Sequence, residues 1–142
     1  MTKINFYILP DDTDMARIHF ACRLTEKAVA QQHRVFIAVE TPDDADHFSE
    51  ALWQFKPESF VGHEIQEPEI TSTSPVLIGW QESPHYHGLM INLCSQIPAY
   101  FSRFQRLAEV VNQQPDVLTI TRTHFQFYRD RGYPLESHNI GG

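Results

Sequence analysis

RVFIAVETPDD, residues 34–44, is the stretch that decides the fold. Arg34 to Val39 is a short, nearly continuous apolar run rich in β-branched side chains, the pattern of a strand buried on both faces. Thr41-Pro42-Asp43-Asp44 then marks a helix start. The threonine hydroxyl is a cap, proline suits the first helical position, where its missing N–H is no loss, and the carboxylates face the helix dipole. Ala45, Phe48 and Leu52 follow at helical spacing and supply the apolar face, which ends near Trp53.

The chain before this stretch repeats the theme. KINFYIL, Lys3 to Leu9, reads as a first strand ended by Pro10, and Asp11, Asp12 and Asp14 form an acidic turn. A helix over 14–32 follows, with Met15, Ile18, Cys22, Thr25 and Val29 as its core-facing stripe and Asp12 or Asp14 accepting amide hydrogen bonds at its start. Strand, helix, strand predicts a right-handed parallel crossover and an α/β fold.

Downstream, LWQFKPESFV (residues 52–61) places aromatics on a helix end and in the loop that Pro57 forces. They serve either as an inward anchor or as a surface for a partner. Ser59 to Ile65 includes a short strand, and Gln66 to Pro75 is a polar loop. Val76–Trp80 (VLIGW) and Leu89–Cys94 (LMINLC) read as strands. The linker between them is too short for a helical crossover, which points to an antiparallel or mixed edge. Pro98 opens a helix whose stripe is Phe101, Phe104, Leu107 or Ala108, and Val111. Residues 117–131 carry two periods at once: threonines alternate as in a strand, while Leu118, Arg122, Phe125 and Arg129 share a helical face. Gly132 is placed for a helix C-cap. Residues 1–133 read as one domain, and 134–142 as an extended or flexible tail.

Composition narrows the function classes. The chain has 142 residues, 42% of them hydrophobic and 12% aromatic, so a sizeable core is available. No 18-residue apolar span is present, which excludes a transmembrane helix, and the polar, strand-like beginning does not resemble a signal peptide. Cys22 and Cys94, inside apparent elements, read as free thiols in a reducing compartment, the cytoplasm. A net charge of -7 disfavours broad duplex binding, although Arg122, Arg129 and Arg131 gather late in the chain.

The first loop, LPDDTD, lacks the glycines and the Gly-Lys-Ser/Thr of a phosphate loop, and its carboxylates repel phosphate unless magnesium intervenes. Asp11, Asp12 and Asp14 are more simply a solvated helix-starting turn than a cation site, and His85, His87 and Cys94 lack the second ligand pair of a closed zinc site. No catalytic set, cofactor site or metal site emerges. The remaining candidate is Arg122. On a helix, Leu118, Arg122, Phe125, Gln126 and Arg129 set cations beside apolar surface, a pattern that grips a peptide bearing a carboxylate and a bulky side chain. The simpler reading of the residues alone is Phe125 or Phe127 in the core with arginines snorkelling outward.

At this point the chain resembles the chi subunit family of bacterial DNA polymerase III over nearly its full length. The likeness is carried by NFYILPD, RVFIAVE, EALWQFKPESFVGH, VLIGW, LMINL and FYRDRGYPL. It implies a three-layer α/β/α fold, Rossmann-like or P-loop-like with a mainly parallel or mixed sheet, lacking the nucleotide loop. It implies a non-catalytic clamp-loader accessory protein that joins the psi subunit to the acidic C-terminal tail of single-stranded DNA-binding protein, meeting DNA indirectly and no membrane. Residue by residue, it implies psi contacts at Trp53, Pro57, Phe60 and Val61, and tail contacts at Leu118, Arg122, Phe125, Gln126 and Arg129. Leu118 and Gln126 stand where better-known members carry lysines, so electrostatic capture is weaker or supplied by Arg129 or Arg131. The resemblance also makes 117–131 a helix. The competing classes are a magnesium-dependent nucleotide or phosphoester enzyme and a direct single-stranded nucleic-acid binder.

Overall fold

A computed structural model of the chain describes residues 1–55, 62–67, 74–83 and 85–141. Among these residues the strands are β1 (Lys3–Ile8), β2 (Val35–Ala38), β3 (His63–Ile65), β4 (Val76–Gly79), β5 (Leu89–Asn92), β6 (Arg106–Val111) and β7 (Leu135–Asn139). The helices are α1 (Asp14–Ala30), α2 (Pro42–Phe55) and α3 (Pro115–Asp130). The strands form one sheet in the order β3-β4-β2-β5-β6-β1-β7, and every pairing is parallel.

Alternation along the strands builds two cores. Val35 and Ile37 join Val76, Ile78 and Ile91 on the side covered by α1 and α2. Phe36 and Ala38 join Leu77, Met90 and Leu107 on the side covered by α3. Both faces of the central strands are therefore buried, which is why they read as continuous apolar runs. The two edges differ: β3 (HEI) exposes Glu64, and β7 (LESHN) exposes Glu136 and Ser137, polar sequences that blunt pairing with another chain.

The Thr41 hydroxyl accepts the Asp44 N–H at 3.1 Å, and Ala45, Phe48 and Leu52 are buried, as their spacing predicts. The α1 start differs from expectation. Thr13, in extended backbone, is the cap and accepts the Ala16 N–H at 3.2 Å, while Asp14 already lies in the first turn. The α1 stripe shifts as well: Phe20, Ala21, Cys22, Thr25 and Ala28 are buried and Met15 is 69% exposed.

Two expectations are overturned. β4 and β5 are not an antiparallel edge; each pairs in parallel with β2, one on either side. Four-residue strands span only about 13 Å, so the short linker can return along them without a helix. Gly88 permits this passage, because a Cβ there would stand 2.6 Å from the Arg34 carbonyl oxygen. The helix expected after Pro98 is instead a 3-10 turn, Phe101–Arg103, followed by β6. Phe101 and Phe104, three apart, are both buried by the three-residue period of that turn, and Leu107 to Val111 is a buried strand. Residues 117–131 fall almost wholly in α3. Gly132 follows it with φ of 77° and donates its N–H to the Arg129 carbonyl at 3.0 Å, the left-handed stop expected of it. After it, β7 adds to β1 in parallel.

Candidate binding faces and a buried polar network

Burial of Ala45, Phe48 and Leu52 turns the next position of α2, Trp53, away from the core. Its side chain is 51% exposed, with its ring 4.9 Å from that of His63 on β3. His63 Nε2 lies 3.0 Å from Ser49 Oγ, so the end of α2 and the edge strand are tied together. Phe55, two residues on, sets its ring edge against His19 of α1 at 4.9 Å and packs on the core. The aromatic stretch thus divides, with Phe55 turned inward and Trp53 outward. Pro57, Phe60 and Val61 lie outside the described residues.

On α3, Leu118 and Phe125 are half-buried against the core, and Phe125 meets Phe6 of β1 at 5.5 Å between ring centroids. Arg122, Gln126 and Arg129 are exposed. Helical rise spreads these five residues over roughly 16 Å of one face. Arg129 Nε lies 3.7 Å from Asp130 in an exposed pair. Arg131 does what the snorkelling alternative describes, with its guanidinium 3.7 Å from the centre of the Phe127 ring.

Behind this face lies a cluster that pattern reasoning missed. Glu109 of β6 is only 4% exposed and takes three donors: Tyr128 Oη at 2.8 Å, Asn92 Nδ2 at 3.1 Å and His124 Nδ1 at 3.1 Å. His124 Nε2 reaches the Ser95 carbonyl at 2.8 Å. Both ring nitrogens therefore face oxygens that only accept, which suits an imidazolium. Burial opposes that charge, but the hydrogen bond and charge of Glu109 and the Ser95 carbonyl outweigh it and raise the His124 pKa above its ordinary value. Ser95 in turn donates its N–H and hydroxyl to Glu40, holding that carboxyl below its usual range. Burial pushes the Tyr128 phenol far up, so it stays a donor. The available signal was a lone carboxylate in the apolar run LAEVV together with a His and a Tyr four apart on α3.

Other sequence candidates resolve into structure. Tyr86, between exposed His85 and His87, is buried and donates to the Ser74 carbonyl at 2.6 Å. Cys22 is buried and Cys94, just beyond β5 rather than within it, is half-buried; both are free, with thiols pushed up to about 12 by burial. Among the described residues no group of three His, Cys, Asp or Glu side chains is placed to hold a metal ion, and no helix is long and apolar enough to cross a membrane.

Comparison with known proteins gives the chain a family. Residues 1–136 match the model of the family described as DNA polymerase III chi subunit, HolC. The DNA polymerase III subunit chi of Pseudomonas aeruginosa is 36% identical over 141 residues, covering 99% of this chain and 98% of that one. The protein of the same description from Haemophilus influenzae is 27% identical, covering 96% of each chain, and that from Escherichia coli 25%, covering 96% and 97%. Among solved structures, the crystal structure of T4 UvsW is similar over 98% of this chain with a TM-score of 0.66 at 10% identity. The chain spans 41% of that protein's length, and the likeness is one of fold alone. With a family match that runs from residue 1 through Glu136 of β7 and a relative 36% identical over nearly its whole length, the chain belongs to the DNA polymerase III chi subunit family.

Proposed function

We propose that the chain is a non-catalytic adaptor of the bacterial DNA polymerase III holoenzyme, working in the cytoplasm without a cofactor. In this reading the aromatic end of α2 holds the psi subunit through Trp53, Pro57, Phe60 and Val61. The α3 face holds the acidic C-terminal tail of single-stranded DNA-binding protein through Leu118, Arg122, Phe125, Gln126 and Arg129. The contact with DNA is indirect. The layers are taken as a Rossmann-like or P-loop-like α/β/α arrangement that has lost its phosphate loop.

The observation that carries the proposal is the family match over residues 1–136. Two local features support it. Trp53 is a large apolar side chain left half in water, and Arg122 is an exposed cation beside half-buried Leu118 and Phe125. A chain of net charge -7 repels an acidic tail at long range, so capture depends on cations at the contact itself. Titration of an acidic peptide ending in phenylalanine tests this. Arg122→Ala should weaken binding by about 5- to 30-fold, equivalent to roughly 1–2 kcal/mol for a charge-assisted contact. Equal binding by both proteins removes Arg122 from the site, and no binding by the wild type removes the α3 role.

A further inference from the structure

The C-terminal ends of the parallel strands open into a crevice of about 1020 Å³ bordered by the first turns of all three helices. In parallel α/β sheets ligands bind at this end, and helix N-termini there favour anions. This chain fills those positions with its own carboxylates. Asp14, Asp44 and Asp116 each occupy the first turn of their helix and the crevice wall, and Glu40 and Glu50 join them. Among the described residues of the wall Arg17 is the one guanidinium, with its Nε donating to the Val110 carbonyl at 2.8 Å. Phosphate ligands are repelled by such a rim.

The deeper lining is mostly apolar. Ile18, Phe48, Leu93 and Ile120 stand there beside the buried, hydrogen-bonded Glu109, and Met15 borders the crevice as one of the most exposed large apolar side chains among the described residues. An acidic rim around an apolar floor, with a flexible methionine at the lip, complements a polypeptide that is basic and amphipathic. We infer that this crevice docks a basic amphipathic segment of another protein, its lysines or arginines meeting Asp44, Glu50 and Asp116 and its apolar side chains lying on Met15, Ile18 and Ile120. The inference does not rest on the adaptor reading. The α3 residues on the crevice wall (Asp116, Val117, Ile120, Thr121) are distinct from Leu118, Arg122 and Phe125, so α3 offers an acidic border to one partner and a cationic face to another.

Calorimetric titration of the whole chain at low ionic strength with a 14-residue Lys/Leu/Ala helical peptide tests it. The wild type should bind, and Asp44→Asn with Asp116→Asn should weaken binding by about 2- to 30-fold, the range for two exposed charge pairs. Met15→Ser should weaken it as well. If the double variant melts early, Glu50→Gln, an exposed mid-helix position, carries the same test. Failure of the wild type to bind overturns the inference, as does unchanged affinity in the acidic-rim variants. So does equal binding of a control with glutamate for lysine, with serine for leucine, or of spermine, the last two of which would mark a simple cation site.

Discussion

Tyr128→Phe deletes one oxygen and leaves the shape of a fully buried ring unchanged. What is lost is the 2.8 Å hydrogen bond from the phenol to Glu109 Oε2, leaving that carboxylate with His124 and Asn92. A hydrogen bond to a buried charged group contributes roughly 1.5–3 kcal/mol, and no cavity is created to add to it. At about 3–5 °C per kcal/mol for a chain of this size, the melting temperature should fall by about 5–15 °C. Urea unfolding at neutral pH measures it directly: the midpoint should drop with the slope unchanged. In a Glu109→Gln background the same substitution should cost less, because the acceptor is uncharged and the two changes share one bond. An unfolding free energy within about 0.5 kcal/mol of wild type, or strict additivity in the double variant, would refute the idea that the phenol stabilises a buried carboxylate.

The raised pKa of His124 contributes stability that is fully present below the unfolded value near 6.5 and lost as pH rises through the folded value, so the gap between wild type and His124→Gln should narrow from pH 6 to pH 9; a gap independent of pH would remove the imidazolium. Gly88→Ala drives a Cβ to 2.6 Å from the Arg34 carbonyl, the same oxygen that accepts the Leu89 N–H at 3.0 Å, and should destabilise by about 1–3 kcal/mol in urea unfolding; wild-type stability would mean the loop can move aside. On the proposed psi contact, Trp53→Ala should lower the melting temperature modestly, since half of its ring rests against the fold beside His63, yet weaken psi binding by roughly 30-fold or more, the mark of an aromatic hot spot, while Arg122→Ala leaves psi binding intact; the reverse pattern would exchange the two faces.

How much was legible depends on whether the cause was local. The α2 start was readable because Thr41, Pro42 and Asp43 act within one turn, and β2 because every one of its side chains is buried. The 98–111 region was not, because Phe101 and Phe104 obey a helical and a 3-10 period equally, and only sheet pairing with β1 and β5 draws Leu107 to Val111 straight. The direction of β4 and β5 escaped for the same reason: which strand stands between them is a tertiary fact. The apolar stripe of α2 accounts for the exposure of Trp53, which the residues alone had left open between anchor and surface, and the role proposed for Arg122 rests on family likeness. Glu109 was hidden most completely, since its three donors come from positions 92, 124 and 128 and no local pattern links them.

The pairing of β1 sets the order in which the molecule can assemble. Lys3 pairs with Arg106 on one side and Ile4 with Leu135 on the other, so β1 waits for partners that are made about a hundred residues later. β2, by contrast, finds β4 and β5 much sooner. At bacterial and eukaryotic translation rates together spanning about 5–20 residues per second, the hundred or so residues separating β1 from β6 take on the order of 5–20 s to appear. Through that interval Ile4 and Phe6 have no sheet neighbours, and loop closure of this length makes their capture a late, slow event. An apolar strand of the growing chain therefore stays without its sheet partners until most of the sheet has been made.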